Sequence, residues 1–491
     1  MSGSRLCYFT VLNFARLLKK FLTVIYSPCK GDEVMAKFTK DLTKGNVWTQ
    51  LIWFAVPFFI SNLIQSVYGV ADMMILGNYC GSESMSAVNT SSQIAIIVTN
   101  LAMGFSTGGT VMIGQYLGAQ RSERIKSVIG TLLISLGVLA VVLSTGLILL
   151  ADPILSALNV PTQAFADARI YLLINAAGLI FVFGYNALSA IMRGMGDSKT
   201  PLIFVTIACV LNIILDFLLV GYFGFGTGGA AAATVFSQAV SMFLCMGYLR
   251  RNDFIFDFKP DSFTFSKSEF AVLVKVGLPT GIQHVATNFS FLLLTGIINE
   301  IGGVAAGAAS GIVGKFNGFS ILPDVAISTS VSAMIAQNMG AKKEDRVKKV
   351  TRYGLMLCCG ISWVIFAIAN IFPEQIFMLF GSDEELLEIG LVYMKAFSFE
   401  YLLVPFIISF NAVFTGTGNG WITLVTNTIT SFAVRLPLAI YLGKIIGLGV
   451  ADVGYSIPAA TLAGSLIAFV FYLSGIWKRN AVMKEKPKLQ E

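Results

Sequence analysis

Charge is scarce in this 491-residue chain: Asp, Glu, Lys and Arg together make up 12% of it, about half the share usual in soluble globular proteins. Histidine occurs once, at His284, and the seven cysteines (Cys7, Cys29, Cys80, Cys209, Cys245, Cys358, Cys359) contain no CxxC spacing. That leaves almost no material for a His/Cys metal site, and the cysteines read as packing residues. No GxxxxGK[ST] phosphate loop is present; the nearest text, Gly311 to Lys315, has the wrong spacing and lies inside an apolar run, so ATP is not the energy source. Gly104-Phe105-Ser106-Thr107-Gly108 fits the GxSxG nucleophile pattern but also falls inside an apolar run instead of a strand-to-helix elbow. Its glycines, and the series Gly303, Gly307, Gly311, read as small residues for close helix packing. A soluble enzyme and a nucleic-acid binder are both disfavoured.

What the chain has in abundance is apolar sequence: 55% hydrophobic residues and a mean hydropathy of +0.76. It comes in runs long enough to cross a ~30 Å hydrocarbon core. Twelve spans are placed near 47–76, 86–113, 128–150, 167–189, 200–222, 229–249, 269–298, 309–335, 350–372, 390–412, 421–442 and 452–474. The fold expected is therefore an all-α integral membrane protein. Lys and Arg number 8 before the first span, then 0, 3, 0, 2, 0, 4, 0, 5, 0, 0 and 1 in the eleven successive loops and 5 in the tail. That alternation puts both termini in the cytoplasm of a cell whose plasma (inner) membrane holds the chain, and makes the net charge of +7 a topology signal. Residues 1–34 carry an apolar stretch cut by Arg16, Lys19 and Lys20; it reads as a basic helix on the inner leaflet or as a leader upstream of Met35.

The chain matches itself at an offset of 222 residues. Gln115, Gly118, Ala119, Arg124, Lys126 and Val128 meet Gln337, Gly340, Ala341, Arg346, Lys348 and Val350, and the same register pairs Pro57 with Pro279, Gly81 with Gly303, Tyr171 with Tyr393, Gly194 with Gly416 and Gly196 with Gly418. Each half holds six spans, an even number, so the repeats are parallel and their pseudo-two-fold axis runs along the membrane normal. The organisation expected is a basic amino-terminal segment (1–46), a six-helix lobe (47–249), a cytoplasmic linker (250–268), a second six-helix lobe (269–474) and a basic tail (475–491). A duplicated bundle with a central cleft is the form of an alternating-access transporter.

Ionisable residues inside spans each cost ~2.5–3.5 kcal/mol at a helix centre, and the first lobe has only two well inside apolar sequence, Asp72 and Asp216. Their distances from the span ends match, so they share a depth. Gln65, Asn212, Tyr171 and Thr234 are placed around them. Two carboxylates in one poorly hydrated pocket do not easily both ionise, which makes a proton site. The second lobe carries Lys315, Asp324, Glu400 and Arg435, read first as structural ion pairs and second as lining of the path, and His284 reads as a hydrogen-bonded interior residue. Pro57 removes one helix hydrogen bond and gives the first span a hinge.

These residues fall in motifs that resemble the multidrug and toxic compound extrusion transporters: Asp41-Leu42-Thr43-x-Gly45, Pro57, Gln65-x-x-Tyr68, Val70-Ala71-Asp72, Gly77, Gly114-Gln115-x-x-Gly118-Ala119, Arg193-Gly194-x-Gly196-Asp197-x-Lys199-Thr200-Pro201 and Asn212-x-x-x-Asp216. Ala336-Gln337-Asn338-x-Gly340-Ala341 and Arg435-x-Pro437 continue them in the second half, and the resemblance covers about residues 38–475. It implies antiport, with a hydrophobic, often cationic organic compound leaving as H+ enters, or Na+ as the alternative at the same Asp72/Asp216 pair. It also implies that Gln65, Tyr171, Asn186, Asn212 and Thr234 surround that pair. Sodium-linked members place an acid eight residues after the proline of the seventh span, where this chain has Thr287; Glu400 keeps a cation role for the second lobe, with Asp324, His284, Arg435 and Lys315 as its neighbours. The remaining expectations are a monomer with small-molecule substrates, no cofactor and no nucleic acid. The readings set against this one are a lipid-linked oligosaccharide flippase, whose anionic cargo needs a Lys/Arg-lined cavity, and a polytopic membrane enzyme.

Overall fold

The computed structural model describes residues 39–158, 160–252, 254–379, 384–479 and 482–483; the amino-terminal segment 1–34 with Cys7 and Cys29 lies outside them. Eleven continuous helical stretches are long and apolar enough to cross a membrane, and one of them, Lys267–Gly340, has 74 residues. At 1.5 Å per residue that is several membrane thicknesses, and it reverses at Gly303, whose φ of +65° breaks the helix. Twelve crossings result: α1 (Val47–Gly81), α2 (Ala87–Gly118), α3 (Ser122–Leu149), α4 (Thr162–Gly194), α5 (Lys199–Tyr222), α6 (Gly226–Arg251), α7 (267–303), α8 (304–340), α9 (Glu344–Ile371), α10 (Leu386–Gly416), α11 (Gly420–Ile445) and α12 (Val450–Leu473).

Local sequence sets the helix ends. Asn46 accepts from the Thr49 amide at 3.2 Å to start α1, and Ser266 caps α7 with its Oγ accepting from the Glu269 amide, while the Ser266 amide donates to Thr131 Oγ1 of the first half at 3.1 Å. Asp197 Oδ1 accepts from the amides of Lys199 and Thr200, both at 3.0 Å, at the head of α5; burial holds its carboxyl above the usual carboxylate range. The α1–α2 turn occurs at Gly81 (φ +82°), the partner of Gly303 at the 222-residue offset. Gly196 and Gly418 (φ +89° and +83°), and Gln120 and Lys342 (both φ +57°), repeat the match. So do the closing bonds of α2 and α8: Arg121 N to Tyr116 O and Lys343 N to Asn338 O, both 2.9 Å. Two glycines expected to pack helices do something else: Gly303 is this turn, and nothing stands within 4 Å of a Cβ placed on Gly311. Gly104 and Gly108 do pack, against Gly281 and Gly277 of α7, where a Cβ on Gly104 would stand 2.4 Å from the Gly281 nitrogen.

The halves exchange their first helices at one end. Leu42, just ahead of α1, and Val47, Leu51 and Ala55, from its start, are buried among Ile327, Val331, Val350, Val413 and other residues of the second half. Leu273 and Val276 of α7 are buried among Val128, Leu132 and Ile191 of the first. This is the end that carries the lysine- and arginine-rich loops, called here the basic end. The bonds that join the halves gather there, in reciprocal pairs. Gln115 Nε2 donates to the Gly416 carbonyl at 3.0 Å, and Gln337 Nε2 to the Gly194 carbonyl at 3.3 Å. Arg124 Nη1 meets Glu269 Oε1 at 2.8 Å, and its partner at the repeat offset, Arg346, holds the chain ahead of α1, donating to the carbonyls of Gly45 (2.8 Å) and Lys44 (2.9 Å). Glu269 is 2% exposed and also accepts from the Tyr116 hydroxyl at 3.1 Å. Leu42, fully buried, donates its amide to Gln337 Oε1 at 3.0 Å, while Lys40 N reaches the Met195 carbonyl of the first half.

Candidate functional site

Away from the basic end the halves part around a cavity of about 770 Å³. Spans carrying Ser, Thr, Asn and Gln on one face line it, because a polar face at helical spacing has no place against lipid. Gln65 and Tyr68 of α1, Tyr171 and Asn186 of α4 and Thr234 of α6 form part of the first half's wall. Two of these amides are turned back on their own helices: Gln65 Nε2 to the Ser61 carbonyl (3.2 Å) and Asn186 Nδ2 to Val182 (2.8 Å).

Asp72 and Asp216 do not line that wall. Asp216 is 0% exposed and Asp72 half-buried, and the two carboxyls stand side by side, with the Tyr68 and Tyr171 hydroxyls in the same polar cluster. Oδ1 of Asp72 and both carboxylate oxygens of Asp216 have no hydrogen-bond partner among the described residues. Asn212, one turn before Asp216, donates Nδ2 to Thr234 Oγ1 at 3.3 Å and so links the cluster to the cavity wall. Asp216 is also the last α-helical residue of its span. From Phe217 to Tyr222 the helix widens to π geometry, a distortion common at functional positions.

Pro57 lies in α1 with Ser61 Oγ donating to its carbonyl at 2.9 Å; the only residue of the α1–α2 stretch outside helical angles is Gly81.

In the second half, Asp324, Glu400, Arg435 and His284 all line the cavity, while Lys315 is exposed on the outside of α8. Ser362 Oγ donates to Asp324 Oδ2, and Thr461 Oγ1 to Glu400 Oε1 at 2.9 Å. Of the ion pairs expected among these charges, Glu400 and Arg435 form none with each other: no hydrogen bond joins the two, and Arg435 lies over the Phe291 ring at 4.3 Å. His284 is half-buried at the cavity, and its ring makes no hydrogen bond to the described residues. The described residues contain no cluster of three or more His, Cys, Asp or Glu suited to a metal ion.

Sequence reasoning missed Arg193, which lines the cavity and stacks over Phe58 at 5.3 Å. A basic residue at a span end is taken as an orientation signal, and only the neighbouring Phe58, 135 positions away, reveals that it faces inward. Tyr68 was legible as a motif residue but not as a neighbour of the carboxyl pair.

The family model described as MatE matches residues 57–218 and again 279–441, two segments that begin 222 positions apart. A probable multidrug resistance protein of Bacillus subtilis, YoeA, is 30% identical over 454 residues, covering 91% of this chain and 97% of its own. The probable multidrug resistance protein NorM of Thermotoga maritima is 28% identical over 442 residues, 88% of this chain and 94% of its own. The fold is that of a multidrug resistance MATE family transporter solved in an outward-facing conformation, with a TM-score of 0.85 at 21% identity over 93% of this chain and all of that one. A duplicated twelve-helix bundle, a cavity between its halves and a family match that recurs at the same 222-residue offset lead to one statement: this chain is a multi-pass membrane transporter, not an enzyme, and belongs to the MatE family.

Proposed function

We propose that the protein is an H+-coupled antiporter that exports hydrophobic, often cationic organic compounds by alternating access, as a monomer in the plasma membrane with both termini cytoplasmic. The observation that carries this reading is the Asp72–Asp216 pair. Two neighbouring carboxyls with no cation paired to them and no donor on Asp216 among the described residues are stabilised by holding a proton between them, and they release or take up that proton as the cavity opens to one side or the other. Supporting the cycle, the bonds between halves gather at the basic end, so the cavity opens at the opposite end, and positive-inside topology makes that end the outer one. Proton entry would remove the site's negative charge, loosening a bound cation and lowering the cost of closing the outer cavity. Pro57 in α1 is the proposed hinge for that closure. The relatives named for multidrug resistance supply the substrate class.

The deciding experiment is ethidium efflux from proteoliposomes with imposed gradients. Efflux should follow a pH gradient; dependence on a sodium gradient alone would move the coupling to Na+. Orientation has its own test. Cys80 closes α1 at the outer end, so a membrane-impermeant maleimide should label it from outside intact cells. Labelling only in inside-out vesicles would invert the topology. A protein starting at Met35 should still insert and transport, as measured by drug resistance of the host.

A further inference from the structure

The second half's share of the cavity wall holds charges that the proton cycle leaves unused. Among the described residues, Arg435, 4% exposed, has no hydrogen-bond partner for Nε or Nη1, and Glu400, 8% exposed, none for Oε2. Each lies within electrostatic reach of the other, and both face the same cavity. A buried arginine and glutamate kept for stability alone would close into a fork-to-carboxylate pair, because only paired and fully bonded charges offset the cost of leaving water. Held apart, each keeps unmet capacity of opposite sign. The planar arginine fork suits a carboxylate or phosphate, and a carboxylate oxygen suits an ammonium. Phe291, under the guanidinium, and Tyr401, next to Glu400 in the chain, belong to the same cavity wall.

We propose that Arg435 and Glu400 form the head-group subsite of the transported compound, and that it takes an amphiphilic zwitterion, with the acidic group on Arg435 and the amine on Glu400. The inference rests on the efflux reading of this cavity and adds the charge pattern of the cargo. It also separates the two ligands, since the proton pair sits behind the first half's wall and the head group against the second half's.

The test uses the full chain in nanodiscs of phosphatidylglycerol without any gradient. Three fluorescent compounds on one aromatic scaffold serve as probes: amine with carboxylate, amine with methyl ester, and acetylated amine with carboxylate. The zwitterion should bind best. Arg435→Gln should weaken both carboxylate probes by roughly tenfold or more and spare the ester, Glu400→Gln should weaken both amine probes and spare the acetylated one, and Arg435→Lys should fall between wild type and Arg435→Gln. Equal loss of all three probes in Arg435→Gln and Arg435→Lys, or wild-type preference for the methyl ester, overturns the proposal. Adding phosphatidylethanolamine distinguishes the sources of such a head group: competition assigns the subsite to lipid, and its absence to a soluble compound, with the charge pattern standing in both cases. Because no gradient is applied, failure here leaves proton-coupled efflux untouched, and failure of that reading shows only in the gradient assay.

Discussion

Asp72→Asn and Asp216→Asn should each reduce pH-gradient-driven efflux to the leak rate while the protein inserts and purifies normally. Asparagine keeps the size of the side chain and removes the titratable proton. The loss should be near total because coupling is a cycle: an exchanger that cannot bind its ion on one side has nothing to return. For scale, one proton crossing ~150 mV in exchange for a substrate of no net charge is worth about 3.5 kcal/mol, enough for a substrate gradient of a few hundredfold, and all of it passes through this pair. Glu400→Gln should retain pH-driven efflux with weaker substrate binding. Normal transport by Asp72→Asn together with an inactive, stably expressed Glu400→Gln would place the coupling site in the second half instead.

An alanine at Gly118 or Gly340, where the halves meet at the basic end, should be nearly as damaging, by a route that leaves the ion site intact. A Cβ on Gly118 would stand 1.9 Å from the Gln337 carbonyl oxygen, and one on Gly340 would stand 1.9 Å from the Gln115 carbonyl oxygen. Both obstacles are backbone, so no rotamer relieves them and the halves must separate. Gly118→Ala and Gly340→Ala should therefore hold the basic end open and abolish transport. A cysteine replacing Ala336, which is 0% exposed beside Gly114, should become reactive to an impermeant maleimide applied from the basic side in both variants. Gly146→Ala, where nothing stands within 4 Å, is the control and should transport as wild type or be slightly more stable. Wild-type transport by Gly118→Ala would mean that this contact is not needed for closure.

The helices, their number and the duplication were legible in the sequence because membrane insertion leaves a strong signature: long apolar runs, and loops sorted by charge. The proximity of Asp72 and Asp216 was legible for a related reason, since a carboxylate in an apolar span stands out and counting residues to the span end gives its depth. Counting gives depth but not rotation about the helix axis. That is why both acids could be placed at one level and yet not known to lie behind the cavity wall, and why Arg193 and the unclosed Glu400–Arg435 arrangement escaped notice. Hydropathy also ends a span where polar residues begin, whereas the backbone ladder continues. Hence α1 was expected to stop near residue 76 and runs to Gly81.

The Gln115 and Gln337 bonds have a bearing on ancestry. Each glutamine finds its acceptor in the opposite half, and Gly118 and Gly340 each meet the opposite glutamine's carbonyl. A contact in which residue i meets j while j meets i is the signature of an isologous homodimer, so a six-helix precursor would have sealed itself as two identical copies before a linker joined them. Once fused, the copies were free to diverge. Arg124 now binds a carboxylate where Arg346 binds carbonyls, and the acid pair survives in one half only, where position 72 corresponds to Leu294 and position 216 to Leu438. An obligatory dimer must place the same ion site in both subunits; a fused one can give each half its own ligand.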